Sequence, residues 1–176
     1  VHKPTRGGSD KDEGLASDIF YVPQKPYVSV GSLIEQLIYP STLENDHKLV
    51  DDPKRLRHLL QQVDLLYLLT DCGRYSGSEE GGATSSGEDI SVSSKSSDKA
   101  SPGEEDAALF DAASTVVNWT EVLSLGEQQR LGMARLFYHS PRFAILDECT
   151  SGVTNDMEER FCEIVERMGC TCITIS

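Results

Sequence analysis

The sequence predicts an α/β fold with parallel strands joined by helical crossovers, and three observations lead there. Two apolar runs, FAILD at 143–147 and TCITI at 171–175, bracket an amphipathic stretch at 155–168. Parallel strands need a crossover of about a dozen residues or more, usually a helix. Upstream, the run IFYV at 19–22 ends at Pro23 and reads as another strand. Helical periodicity fills 31–69 and 124–139 between these strands.

Each element has a local reason. Residues 1–18 are polar and read as loop. In GSLIEQLIYP, Ser32 and Glu35 have capping-box spacing, Leu33, Ile34, Leu37 and Ile38 form a stripe, and Pro40 stops the helix. Asp52 caps a helix with Pro53 at its first position and Leu56, Leu59, Leu60 and Val63 on one face. Asp64 is expected to cap a short helix over LLYLL. Residues 71–115 are rich in Ser, Gly, Glu and Asp, and are expected to be a disordered insertion because they bury too little to offset ordering entropy. Helix 124–139 leads through Pro141 to strand 143–147. Helix 155–168, capped by Asn155, ends at Gly169. The runs 143–147 and 171–175 are expected to be buried strands.

The bulk numbers exclude some function classes. The chain has 176 residues, one ordinary domain, and a net charge of −13 that disfavours nucleic-acid backbones. Its five cysteines form no CxxC pair, and Cys170 and Cys172 are expected as a reduced pair on one strand face. No apolar run approaches the roughly 18 residues of a membrane span, and no secretory signal opens the chain. Asn118-Trp119-Thr120 fits a glycosylation pattern and is taken as chance. Val1 at one end and an interrupted strand at the other imply a piece of something longer.

Three motifs carry chemistry. In LSLGEQQR at 123–130, Ser124 and Glu127 form a second capping box, and the first turn of such a helix offers free N–H groups and partial positive charge to phosphate oxygens. Gly126 allows close approach to the backbone. In FAILDE at 143–148, Asp147 closes a strand where ligands bind in open α/β sheets and suits Mg²⁺, while Glu148 can polarise a water. In YVPQKPY at 21–27, Gln24 sits between two prolines with an amide able to ligate metal or orient water.

In this order the motifs resemble the nucleotide-binding domain of ATP-binding-cassette (ABC) proteins. YVPQ resembles the Q-loop, LSLGEQQR the signature motif, FAILDE the Walker B strand, and CTSGVTND falls at the D-loop. The resemblance covers about 19–69 and 116–176. It implies a P-loop NTPase core with a parallel sheet and an α-helical signature subdomain, incomplete at both ends. The parts are 1–30 (partial core with Q-loop), 31–70 (helical), 71–115 (insertion), 116–140 (helical, with the signature) and 141–176 (core with Walker B and D-loop). It implies ATP and Mg²⁺ as cofactors. Glu148 becomes the catalytic base, Asp147 and Gln24 the metal side, and Gln24, Ser124, Gly126 and Glu127 the nucleotide side. FYVPQKPY, GSLIEQLIYP and TNDMEERF are most similar to subfamily D, the peroxisomal transporters of fatty acids and acyl-CoAs, and to the first cassette of its full-size plant-type members. That implies a domain facing the cytosol at the peroxisomal membrane, which touches the membrane only through the parent's transmembrane part.

The departures are specific. Leu125 replaces a second glycine, Glu127 replaces a glutamine, and Thr154 stands where an aspartate is common. There is no GxxxxGK[ST], so the Walker A loop is expected before Val1 and the switch histidine after Ser176. In the family two domains pack head to tail, so each signature helix serves the nucleotide of a partner domain. The segment alone is then expected to be inactive. Gln24 and the helices at 31–69 are expected to meet coupling helices of a transmembrane domain. The competing readings are a soluble ABC ATPase and a non-catalytic cassette that only dimerises.

Overall fold

The computed structural model describes residues 18–70 and 110–175. Along the chain come β1 (Ile19–Val22), β2 (Val30–Ser32), α1 (Leu33–Ile38), α2 (Lys48–Asp51) and α3 (Pro53–Gln62). After them come β3 (Val116–Asn118), α4 (Trp119–Val122), α5 (Leu125–His139), β4 (Phe143–Asp147), α6 (Asn155–Arg167) and β5 (Thr171–Ile175). Strands β1, β4 and β5 form a parallel sheet with β4 in the middle. Tyr21 lies opposite Ile145, and Ile145 opposite Ile173. The crossover from β4 to β5 is α6, so the expected α/β architecture is the one observed.

The helix starts follow their side chains. Ser32 caps α1 in a full capping box with Glu35, and Asp52 accepts from the Arg55 N–H with Pro53 at the first position of α3. Each such cap is worth about 1 kcal/mol. Helix α5 ends at Ser140 in the left-handed region (φ 47°), and Pro141 prevents continuation. Its middle is buried nearly all round, because α1 and α3 pack on one side and the sheet lies on the other. Leu33, Ile34, Leu37, Leu60, Leu131 and Trp119 form the centre of the core.

Several expectations are corrected. Residues 30–32 are not helical: they pair antiparallel with 116–118 as β2 and β3, and the indole of Trp119 donates to the Gly31 carbonyl at 2.9 Å. Asp64 caps nothing; it sits at φ 57° in a turn, and only 68–70 of the LLYLL region is helical. Thr154, not Asn155, is the N-cap residue of α6, and it makes no side-chain cap bond. Residues 110–114, expected to be disordered, are helical, with Ala113 fully buried. The part at 71–109, like the loop at 1–17, lies outside the described residues.

The largest correction concerns the sheet. Strands 143–147 and 171–175 were expected to be buried, yet only Ala144 among their residues is buried. Helices α5 and α6 cover the face carrying Val22, Ala144 and Cys172. The other face leaves Ile19, Tyr21, Ile173 and Ile175 exposed. No described element packs on that second face. Among the described residues no helix is long and apolar enough to cross a membrane.

Candidate functional site

The carboxyl end of the sheet gathers four of the side chains that matter. Asp147 is the last residue of β4. Glu148 follows at φ 43°, and its N–H donates to the Ile175 carbonyl at 2.9 Å. A non-glycine residue in the left-handed region costs about 1–3 kcal/mol and is found preferentially at functional sites. The turn throws the two neighbouring carboxylates apart. The Gln24 amide donates to Glu148 Oε2 at 2.5 Å, and the Tyr21 hydroxyl donates to Asp147 Oδ2 at 2.6 Å. That hydrogen bond, with a small desolvation effect and the nearby charge, raises the Tyr21 phenol above its ordinary value and keeps it a neutral donor. Gln24, read beforehand as a partner of Asp147's metal, therefore meets Glu148, and Tyr21 takes the place beside Asp147.

The start of α5 lies on a different cleft. Ser124 and Glu127 form the anticipated box: the Ser124 N–H and Oγ donate to Glu127 Oε2 at 2.7 and 2.5 Å, and the Glu127 N–H returns to Ser124 Oγ at 3.4 Å. Tyr67 also donates to Glu127. Arg130 lies 3.9 Å from Glu127 and 3.8 Å from Asp64. Partial burial works to raise the Glu127 carboxyl. The Ser124 and Tyr67 hydrogen bonds and the Arg130 charge outweigh it and hold the group below its ordinary range. So the negative charge that replaces a glutamine is bound within its own helix end. Ser124, Gly126, Glu127 and Arg130 line an open cleft of about 340 Å³ with Gly152, Val153 and Thr154. Leu125 is exposed.

One residue that sequence reasoning missed joins the two clusters. Gln129 is fully buried. Its Nε2 donates to the Gln24 carbonyl and Ser151 Oγ, both at 2.9 Å, and reaches the Glu148 carbonyl at 3.4 Å. Its Oε1 accepts from the Gly152 N–H at 2.7 Å. A single neutral amide thus ties α5 to the loop after β1, to the end of β4, and to the loop before α6. The signal was a polar residue on the buried side of a helix, since a buried amide needs partners from elsewhere. Gly126, read as allowing close approach to the backbone, also makes room for the Gly152 carbonyl: a Cβ built on it would lie 2.5 Å from that oxygen.

A metal would find few protein donors here. Among the described residues no group of three or more His, Cys, Asp or Glu side chains is arranged to hold one. Asp147 has one carboxylate oxygen held by Tyr21, leaving the other as a hard donor. That fits Mg²⁺, which takes one or two carboxylates and fills its shell with water and phosphate. On the other side of β4, a cavity of about 380 Å³ is lined by Cys149, Cys162, Cys170 and Cys172 together with apolar side chains and the acids Glu148, Glu158 and Glu166. Burial pushes the Cys149 and Cys172 thiols up to about 11 and about 12, so they stay protonated. The Cys170 and Cys172 sulfurs lie 4.0 Å apart.

The arrangement can be compared with known proteins. The family model described as "ABC transporter" matches residues 10–151. The chain belongs to the ABC transporter family. This ABC segment is 47% identical over 169 residues to "ABC transporter D family member 1" of Arabidopsis thaliana, a match covering 96% of the segment and 9% of the relative. It is 36% identical to "ATP-binding cassette sub-family D member 1" of Drosophila melanogaster and 36% identical to "ATP-binding cassette sub-family D member 3" of Mus musculus. Each match covers 90% of the segment, and 16% and 18% of the relative. The segment thus spans less than a fifth of these relatives. In fold it is similar to a bacterial Atm1-family ABC exporter solved with ATP bound, at TM-score 0.54 and 14% identity, over 92% of the segment and 21% of that chain. The segment therefore has the ABC ATPase fold.

Proposed function

We propose that this segment is the carboxyl-terminal part of an ATP-binding and ATP-hydrolysing domain of a subfamily D transporter. That transporter moves fatty acids or acyl-CoAs across the peroxisomal membrane, with the domain on the cytosolic side. Glu148 is the catalytic base, aimed by the Gln24 amide 2.5 Å away. Asp147 and Gln24 serve the metal side of the nucleotide, and Mg²⁺ would supply charge neutralisation to the phosphates. Ser124, Gly126 and Glu127 form the helix tip that closes on the nucleotide of a second, head-to-tail domain. Their cleft, open and separate from the Asp147–Glu148 end, is the observation that carries this two-domain reading. The segment alone then neither binds ATP tightly nor hydrolyses it. Its contacts in the parent are the other nucleotide-binding domain and the coupling helices of the transmembrane domain, and nucleic acid is no partner.

The test uses the full-length protein that carries this segment. Glu148→Gln should lower ATP turnover by about 10²–10⁴, the usual worth of a general base, while ATP binding persists. Unchanged turnover would remove Glu148 from the role.

A further inference from the structure

Two neutral donors from one strand-and-loop hold the two neighbouring carboxylates. Gln24 holds Glu148 and Tyr21 holds Asp147. Sheet register makes the second pairing possible. Tyr21 lies opposite Ile145, and Asp147, two residues on, projects from the same face because side chains alternate along a strand. That face is the open one, and Tyr21 is 52% exposed on it. A phenol removes no charge from the carboxylate, unlike a lysine or arginine. It fixes one oxygen and leaves the carboxylate's negative charge, shared by both oxygens, uncompensated.

We infer that Tyr21 is a positioning residue for Asp147, its hydroxyl orienting the carboxylate towards a divalent cation carried by the nucleotide. The inference rests on the reading of Asp147 as the metal-side residue. Hydrogen bonds that orient a metal-bound carboxylate typically contribute about 10–100-fold in metal affinity. Tyr21→Phe keeps the ring and removes one exposed oxygen, so the fold is retained.

The experiment compares wild type, Tyr21→Phe and Asp147→Asn in the full-length protein. Three quantities are read: the Mg²⁺ concentration for half-maximal ATPase, ATP affinity with Mg²⁺ or with chelator, and Mn²⁺ binding by electron paramagnetic resonance. Tyr21→Phe should raise the half-saturating Mg²⁺ and weaken Mn²⁺ binding by about 10–100-fold, with chelator-state ATP affinity and Tm unchanged. A residue that only supports the sheet would instead lower Tm and leave the Mg²⁺ dependence alone. Mg²⁺ and Mn²⁺ curves that overlay wild type would overturn the role of Tyr21. If Asp147→Asn also leaves them unmoved, it is the reading of Asp147 that fails.

Discussion

Gly126 and Gly152 pack backbone against backbone. A Cβ built on Gly126 would lie 2.5 Å from the Gly152 carbonyl oxygen, and one built on Gly152 would lie 3.3 Å from the Gly126 Cα. The two glycines bring the first turn of α5 and the loop before α6 closer than any side chain permits. They form one wall of the cleft at the helix tip.

The two positions should differ in tolerance. At Gly126 the obstacle is backbone, which cannot swing away. At Gly152 the nearest atom is Gln129 Oε1, 2.9 Å away at the end of a side chain. Gly126→Ala should therefore destabilise by about 1–3 kcal/mol, the usual range for overpacking, and Gly152→Ala by less. Thermal melting of both variants in the full-length protein checks the order, and equal losses would contradict it.

Removing the Gln129 amide should be costly for a different reason. Gln129→Leu fits the space but strands the Gly152 N–H, the Gln24 carbonyl and Ser151 Oγ. A buried polar group left unpaired costs about 1–3 kcal/mol. Gln129→Glu keeps the acceptor for Gly152 and loses both donors, so it should damage the Gln24 loop more than the loop at 151–152, which keeps the Gly152 bond. Hydrogen exchange at the two loops separates these outcomes.

Ser124 should show two effects of unequal size. Ser124→Ala loses the cap that accepts the Glu127 N–H and should cost about 1 kcal/mol of stability. Ser124→Gly removes the same hydroxyl at a capping cost of only a few tenths of a kcal/mol, so if the helix tip also grips a partner's phosphate, turnover should fall in both variants alike. Wild-type turnover in Ser124→Gly would leave Ser124 a helix cap and nothing more.

Acid should loosen the same helix end, and the sign follows from Glu127. Its folded-state pKa lies below the ordinary 4.5, so ionised Glu127 binds its partners more tightly folded than unfolded. The resulting stability is complete above pH 4.5 and is lost as pH falls through the lower folded value. Glu127→Gln cannot show this loss. Acid denaturation curves of wild type and Glu127→Gln should differ above that window and converge below it.

How far the residues foretold this depends on how local the cause was. The Ser32–Glu35 and Ser124–Glu127 boxes and the Asp52-Pro53 start depend on neighbours three positions apart, and all three are observed. Gln24 and Glu148 stood out because their motifs resemble a family, but their contact at 2.5 Å across 124 positions was not legible. Strands β2 and β3 were not legible. Each is three residues long, and pairing across the 83 residues between Ser32 and Val116 leaves no periodicity to read. Gln129 looked like one more helix glutamine, because its partners come from three other stretches of chain. The exposed sheet face was misjudged because an apolar strand announces that it wants cover, not whether cover is present.

That uncovered face decides how the segment behaves outside its parent. Isoleucines at 19, 173 and 175 stand in water on a parallel sheet, an architecture that ordinarily has both sides roofed. Produced by itself, the piece would be adhesive, since the described residues leave both outer strands of the sheet unpaired on one side and an apolar plane open to other copies. Clumping in such a preparation would come from this plane and not from the cleft at the helix tip.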